Sequence, residues 1–196
     1  MDALTQLIEP MVSVRANPVV DSWCREGLAR IVRSLSTLCS GVEDADLRAD
    51  MSYASLLGGL ALANAGLGAV HGLAGPIGGY YPDAPHGAVC AALLPAVMRA
   101  NLRALRVREP GHARLAGFTE VACILTGRVD AKAEDGVEWI LRLCDELGVR
   151  GLRELGVLED GFEALARQAL KASSMKSNPV VLTHEELLEI LAVTMR

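Results

Sequence analysis

Aromatic side chains are scarce: two tryptophans, three tyrosines and two phenylalanines in 196 residues. The core must therefore come from Leu, Ala, Val, Ile and Met, which suits close-packed helices better than a sheet rich in aromatic and β-branched residues. Cationic charge is also short. Lys and Arg number 19 against 24 Asp and Glu, a net charge of −5, and no basic stripe exists to follow a phosphate backbone. Nucleic acid is excluded as a partner class on that ground. The cysteines are Cys24, Cys39, Cys90, Cys123 and Cys144. They form no C-x-x-C pair, and their odd number argues against a secreted disulfide frame. Long apolar runs are missing too. The longest, residues 56–70, is broken by Asn64 and four glycines, too short and glycine-rich for a membrane span. The opening MDALTQLIEP is acidic and lacks the basic start of a signal peptide. The expectation is a soluble, cytoplasmic protein with no membrane partner.

What is present is apolar and helical in rhythm. Hydrophobic residues make up 51% and charged residues 22% of a 20.8 kDa chain. A chain of this size buries about 70% of its unfolded surface without a disulfide or structural zinc. Residues 2–14 place Leu4, Ile8, Met11 and Val12 on one stripe, and residues 20–38 repeat the pattern with Trp23, Leu28, Ile31, Val32 and Leu35. Asn17-Pro18 separates them, because a residue before proline is pushed out of the α region. Asp44 and Asp46 open a third helix over 46–64. Residues 65–85 carry six glycines and three prolines. They are read as a short helix over 68–74 and then an irregular loop. Further helices are expected over 86–105, with a kink at Pro95, and over 112–126, 132–147, 160–173 and 184–195. Thr183 and Glu186 form a capping-box pattern before the last. Only Pro179–Leu182 looks β-like. The fold class is all-α, one domain over 1–196, with about eight helices. Four of the cysteines fall on these helices, where a thiol serves as a small core residue.

Few residues carry chemistry. His112 and His184 stand among polar neighbours at helix starts and read as solvated. His71 and His86 bracket the glycine-rich segment in apolar settings, where a buried imidazole needs a partner for each ring nitrogen. A hydrogen-bonded core role and a metal-ligand role both fit them. Asp2 and Gln6, four apart, share a helix face with Glu9 nearby, either as a solvated polar face or as oxygen ligands. Gly66-Leu67-Gly68 resembles the start of a dinucleotide loop, but the segment before it is helical, and the mechanism needs strand, turn and helix in that order.

The strings MDALTQLIEP, ANPVVDSWCREGLARI and ASLLGGLALANAGLGAVHGLAGPIGGYYPDAPHGAVCAALLPAVMRAN resemble the C-terminal helical domain of the iron-containing (group III) alcohol dehydrogenases. SNPVVLTHEELLEIL resembles that family's closing helix. The resemblance implies a divalent iron or zinc held by an aspartate, the residue four after it, the histidine of V-H-G and that of P-H-G. Carried over, the metal set is Asp2, Gln6, His71 and His86. Gln6 stands where the family has histidine, and an amide oxygen is a weaker ligand for these metals. Gly75 stands where many members have a histidine thought to assist proton transfer. The segment before His86 is one residue longer than the family's.

The family's chains begin with a nucleotide-binding α/β domain carrying a Gly-Gly-Gly-Ser loop, and this sequence has nothing like it. The chain therefore reads as half of an enzyme: a truncated product, a fragment, or one subunit of a split pair. The leading expectation is the metal-binding half of a nicotinamide-dependent alcohol dehydrogenase acting on a small alcohol or aldehyde. NAD(P) would bind only when the missing nucleotide-binding domain or subunit is supplied. A homo-oligomer and an exposed apolar docking face are expected. The competing reading is a metal-free helical dimerisation or folding module without catalysis.

Overall fold

The computed structural model describes residues 1–195. Nine α-helices lie within them: α1 (Asp2–Val12), α2 (Pro18–Cys39), α3 (Ala45–Ala65), α4 (Ala69–Tyr80), α5 (His86–Arg108), α6 (Arg114–Thr126), α7 (Ala133–Glu146), α8 (Phe162–Ala169) and α9 (His184–Val193). Single 3-10 turns at Glu159–Gly161 and Ser173–Ser177 complete the described elements, among which there is no strand. The all-α class expected from composition is the class found. The β-like segment at 179–182 joins no sheet.

The helix starts follow the side chains that satisfy their first N–H groups. Asn17 Oδ1 accepts from the amides of Val19 and Val20, both at 3.2 Å, with Pro18 pre-set at the first helical position. Asp44 does the same for Asp46 and Leu47. At α9 the amide of Glu186 donates to Thr183 Oγ1 at 3.2 Å and that of Thr183 to Glu186 Oε2 at 2.8 Å. This is the capping box the sequence predicts.

Two expectations need correction. The segment after residue 74 is not an irregular loop, because α4 runs on through Gly75 and Pro76 to Tyr80. Val70, Leu73 and Ile77 are fully buried at spacings of three and four. Burying each stabilises by about 1.5–3 kcal/mol, against about 3 kcal/mol for a proline and about 1 for a glycine inside a helix. Tertiary burial therefore overrides local propensity. The second correction concerns the polar histidines. His112 Nδ1 accepts from the amide of Arg114 at 3.1 Å, and His184 Nε2 meets Glu163 Oε2 at 3.0 Å, tying α9 to α8. Both are partly buried working contacts rather than solvated rings. Helix α5 stays unbroken through Pro95.

Helix α1 is the hub, packed against α2, α3, α5 and α6, with Leu4, Leu7 and Ile8 almost wholly buried. Helix α5 is long and apolar enough to cross a membrane, yet 72% of its most apolar window is buried inside the protein. It is the core helix against which α4, α7 and α9 pack.

A charged cluster pins α2 to α3. Asp50, with only 6% of its side chain exposed, takes Arg30 at 2.6 Å, Arg33 Nε at 2.8 Å and Ser34 Oγ at 3.0 Å. The Arg33 guanidinium is the main cause that holds the Asp50 carboxyl down to about 2. A folded-state pKa below the unfolded value contributes stability that is present above the unfolded pKa of about 3.9 and is lost as pH falls through the folded value. Urea unfolding of the wild type and of Asp50→Asn should therefore differ most above pH 4 and converge toward pH 2. A difference that does not vary across that window would contradict this assignment.

Candidate metal centre

Three helices converge at one end of the bundle. Asp2 opens α1, His71 is the third residue of α4, and His86 opens α5. The turn between α3 and α4 aims His71. Gly66 caps α3 with a positive φ of 72°, a conformation that favours glycine. Gly68 then lets two polar side chains approach the start of α4. A Cβ there would lie 2.8 Å from Asn178 Oδ1 and 2.9 Å from Glu9 Oε1. In the space it leaves, Asn178 Oδ1 accepts from the amide of Ala69 at 3.0 Å and Glu9 Oε1 from that of Val70 at 2.7 Å. The G-x-G string is thus a helix-to-helix turn, and the first α4 amides after it are already used by this chain's own side chains.

Glu9 makes a second contact, with Oε2 2.6 Å from His71 Nδ1. Both side chains are buried, at 6% and 8% exposure. A carboxylate on Nδ1 fixes the ring orientation and leaves Nε2 facing inward. There Nε2 lies 3.4 Å from Asp2 Oδ1. His86 Nε2 is 4.0 Å from the same oxygen, and the two rings sit 5.5 Å apart at 50°. Asp2 Oδ1 is buried and has no hydrogen-bond partner. Gln6 donates its amide Nε2 to the other carboxylate oxygen, Oδ2, at 2.9 Å.

The charges are coupled. Burial pushes the His71 pKa down, and the facing Asp2, Cys90 and Glu9 more than reverse this, so the ring holds its proton well above the usual range. The His71 ring facing Asp2 lowers the Asp2 pKa against the opposing effect of burial.

All four residues singled out from the sequence meet here, with Asp2, His71 and His86 turned toward one another and Gln6 turned toward Asp2. Two further residues take part in ways the sequence does not show. The sequence places Glu9 on the candidate oxygen-ligand face of α1 but does not show its contact with His71. Cys90, treated as a core thiol, has Sγ 3.5 Å from His86 Nε2 and 3.9 Å from His71 Nε2. Its spacing of four from His86 on one helix was the available signal.

A helical bundle that gathers a carboxylate, two imidazoles and a thiol at one end is a domain of the class able to hold a divalent ion. Residues 1–195 match the family model described as Fe-containing alcohol dehydrogenase family, C-terminal. The chain therefore belongs to that family, as its C-terminal helical domain. It is 41% identical over 182 residues to the 1,3-propanediol dehydrogenase of Klebsiella pneumoniae, covering 91% of this chain and 45% of that protein. It is 36% identical over 192 residues to alcohol dehydrogenase 4 of Saccharomyces cerevisiae, covering 97% and 48%. The solved alcohol dehydrogenase from Oenococcus oeni superposes with a TM-score of 0.85 at 33% identity, over 99% of this chain and 50% of that one. The chain thus spans about half the length of the relatives it matches.

Proposed function

We propose that this chain is the metal-binding helical half of a nicotinamide-dependent alcohol dehydrogenase, with Asp2, His71 and His86 holding a divalent iron or zinc. The buried, partnerless Asp2 Oδ1 between two imidazole nitrogens is the observation that carries this reading. A buried carboxylate oxygen without a hydrogen bond is costly, and a divalent ion taking the place of the His71 proton would pair with it. Two histidines and one carboxylate suit both catalytic zinc and non-haem iron. Such an ion, when bound, supplies Lewis acidity to an alcohol or carbonyl oxygen while hydride passes to or from the nicotinamide.

The protein's own side chains do the positioning. Glu9 fixes the His71 ring, Gln6 holds the Asp2 carboxylate by its outer oxygen, and His86, with 52% of its side chain exposed, stands on the solvent side as the point of access. Gly75 contributes no side chain to proton transfer, so that role falls to water or another group. The nicotinamide and the small alcohol or aldehyde bind together with a nucleotide-binding domain or subunit. Tyr53, Leu56 and Leu60 form an exposed stripe on α3 that suits such docking or self-association. The cytoplasm is the compartment that fits this chemistry.

Metal analysis of the purified chain, before and after reconstitution, tests the reading. One ion per chain is expected, with His86→Ala lowering zinc affinity at least about a hundredfold in competition with a chelator, more than the roughly 10–100-fold seen for outer-shell changes. The chain alone should show no saturable NADH binding in the low micromolar range. No metal even after reconstitution would leave the metal-free folding or dimerisation module as the better description.

A further inference from the structure

Cys90 follows His86 by one helical turn on α5, so both side chains leave the helix on the same face. The thiol is fully buried, and its sulfur faces both imidazoles across 3.5 and 3.9 Å. The partnerless Asp2 Oδ1 faces the same two nitrogens across 3.4 and 4.0 Å. One atom from each of Asp2, His71, His86 and Cys90 lies within 4.8 Å of every other. A tetrahedral zinc with bonds of about 2.0–2.1 Å to nitrogen or oxygen and about 2.3 Å to sulfur spaces its ligand atoms roughly 3.3–3.6 Å apart. These four of the six ligand–ligand distances need to tighten by no more than about 0.7 Å to reach that spacing, and the other two lie within 4.8 Å.

Gln6 is placed differently. Its amide nitrogen is spent on Asp2 Oδ2, the carboxylate oxygen turned away from the histidines, and its side chain rests against Gly58 of α3.

We propose that Cys90 is the fourth protein ligand of this centre, binding as a thiolate, while Gln6 orients Asp2 from outside. The proposal rests on the reading that Asp2, His71 and His86 hold a divalent ion. On binding, the thiol proton and the Nε2 proton of His71 pass to solvent as the metal–sulfur and metal–nitrogen bonds form. One carboxylate, one thiolate and two neutral imidazoles then balance a dication among the four ligands, with the Glu9 carboxylate outside them on Nδ1 of His71. A thiolate is a soft donor, so the set favours zinc over harder divalent ions such as manganese.

Cobalt(II) titration of the 196-residue chain tests this without any activity assay. The expected result is one equivalent bound, with the intense visible bands of a tetrahedral ion and a near-ultraviolet thiolate-to-cobalt charge-transfer band. Cys90→Ser and Cys90→Ala should lose the charge-transfer band, lower zinc affinity at least about tenfold, and narrow the preference for zinc over manganese. Visible bands without charge transfer in the wild type would overturn the Cys90 assignment and leave the Asp2, His71 and His86 site standing. A charge-transfer band that survives in both Cys90 variants would also overturn it, since the sulfur would belong to another cysteine. No cobalt uptake at all would overturn both readings. If neither Cys90 variant folds, a chain carrying Cys39→Ser, Cys123→Ser and Cys144→Ser decides: a band that persists supports the assignment, and its loss overturns it.

Discussion

Glu9→Leu should destabilise the protein by about 3–5 kcal/mol, the scale for removing one partner of a buried charged pair. Leucine nearly fills the space but accepts nothing. The amide of Val70 and Nδ1 of His71, which donate to Glu9 across 2.7 and 2.6 Å, would be left buried without an acceptor. A loss of this size is a large fraction of a domain stability of about 5–15 kcal/mol. Glu9→Gln keeps an acceptor for the amide and should lose less. Both variants should also weaken zinc binding about 10–100-fold, because the ring of His71 is no longer held. Denaturant unfolding and chelator competition measure the two effects separately. A Glu9→Leu protein within about 1 kcal/mol of wild type would mean that the contact carries little of the stability its burial implies.

Phe118→Ala is the largest expected core effect, again about 3–5 kcal/mol. Phe118 is fully buried and lines a small internal gap with Ile8, Val12, Leu94 and Met98, so it joins α6 to both α1 and α5. In a chain this poor in aromatic residues, no neighbour of similar volume can move in to fill the void. At roughly 2–4 °C per kcal/mol for a chain of this length, the melting temperature should fall by about 6–20 °C. Val129→Ala, at a position 98% exposed, is the control and should stay within about 0.5 kcal/mol. Comparable losses in the two variants would point to a core that does not run through α6.

The helices were legible where amphipathic spacing and a cap agreed, as at Asn17, Asp44 and Thr183. They were not legible at α4, because burial of Val70, Leu73 and Ile77 depends on neighbours from α5 and α8 that no local pattern reveals. The meeting of Asp2, His71 and His86 followed from resemblance rather than spacing, since 69 and 15 residues separate them in turn. The contact of Glu9 with His71 and the place of Cys90 escape the sequence for a common reason. Seen along the chain, a carboxylate on a polar stripe and a thiol among alanines look the same whether they face solvent, core or a site. Only the crossing of α1, α4 and α5 distinguishes these fates.

The start of α4 also bears on how the chain folds. Glu9 reaches Val70 across 61 positions, Asn178 reaches Ala69 across 109, and the Asn101–Asn178 pair spans 77. Loops of that length must close before any of these hydrogen bonds can form. An unfolded chain therefore offers a divalent ion scattered single ligands and no assembled pocket. Binding energy then accrues to the native state alone. Added zinc should act as a brake on unfolding, lengthening the lifetime of the folded protein while leaving the rate of refolding almost untouched.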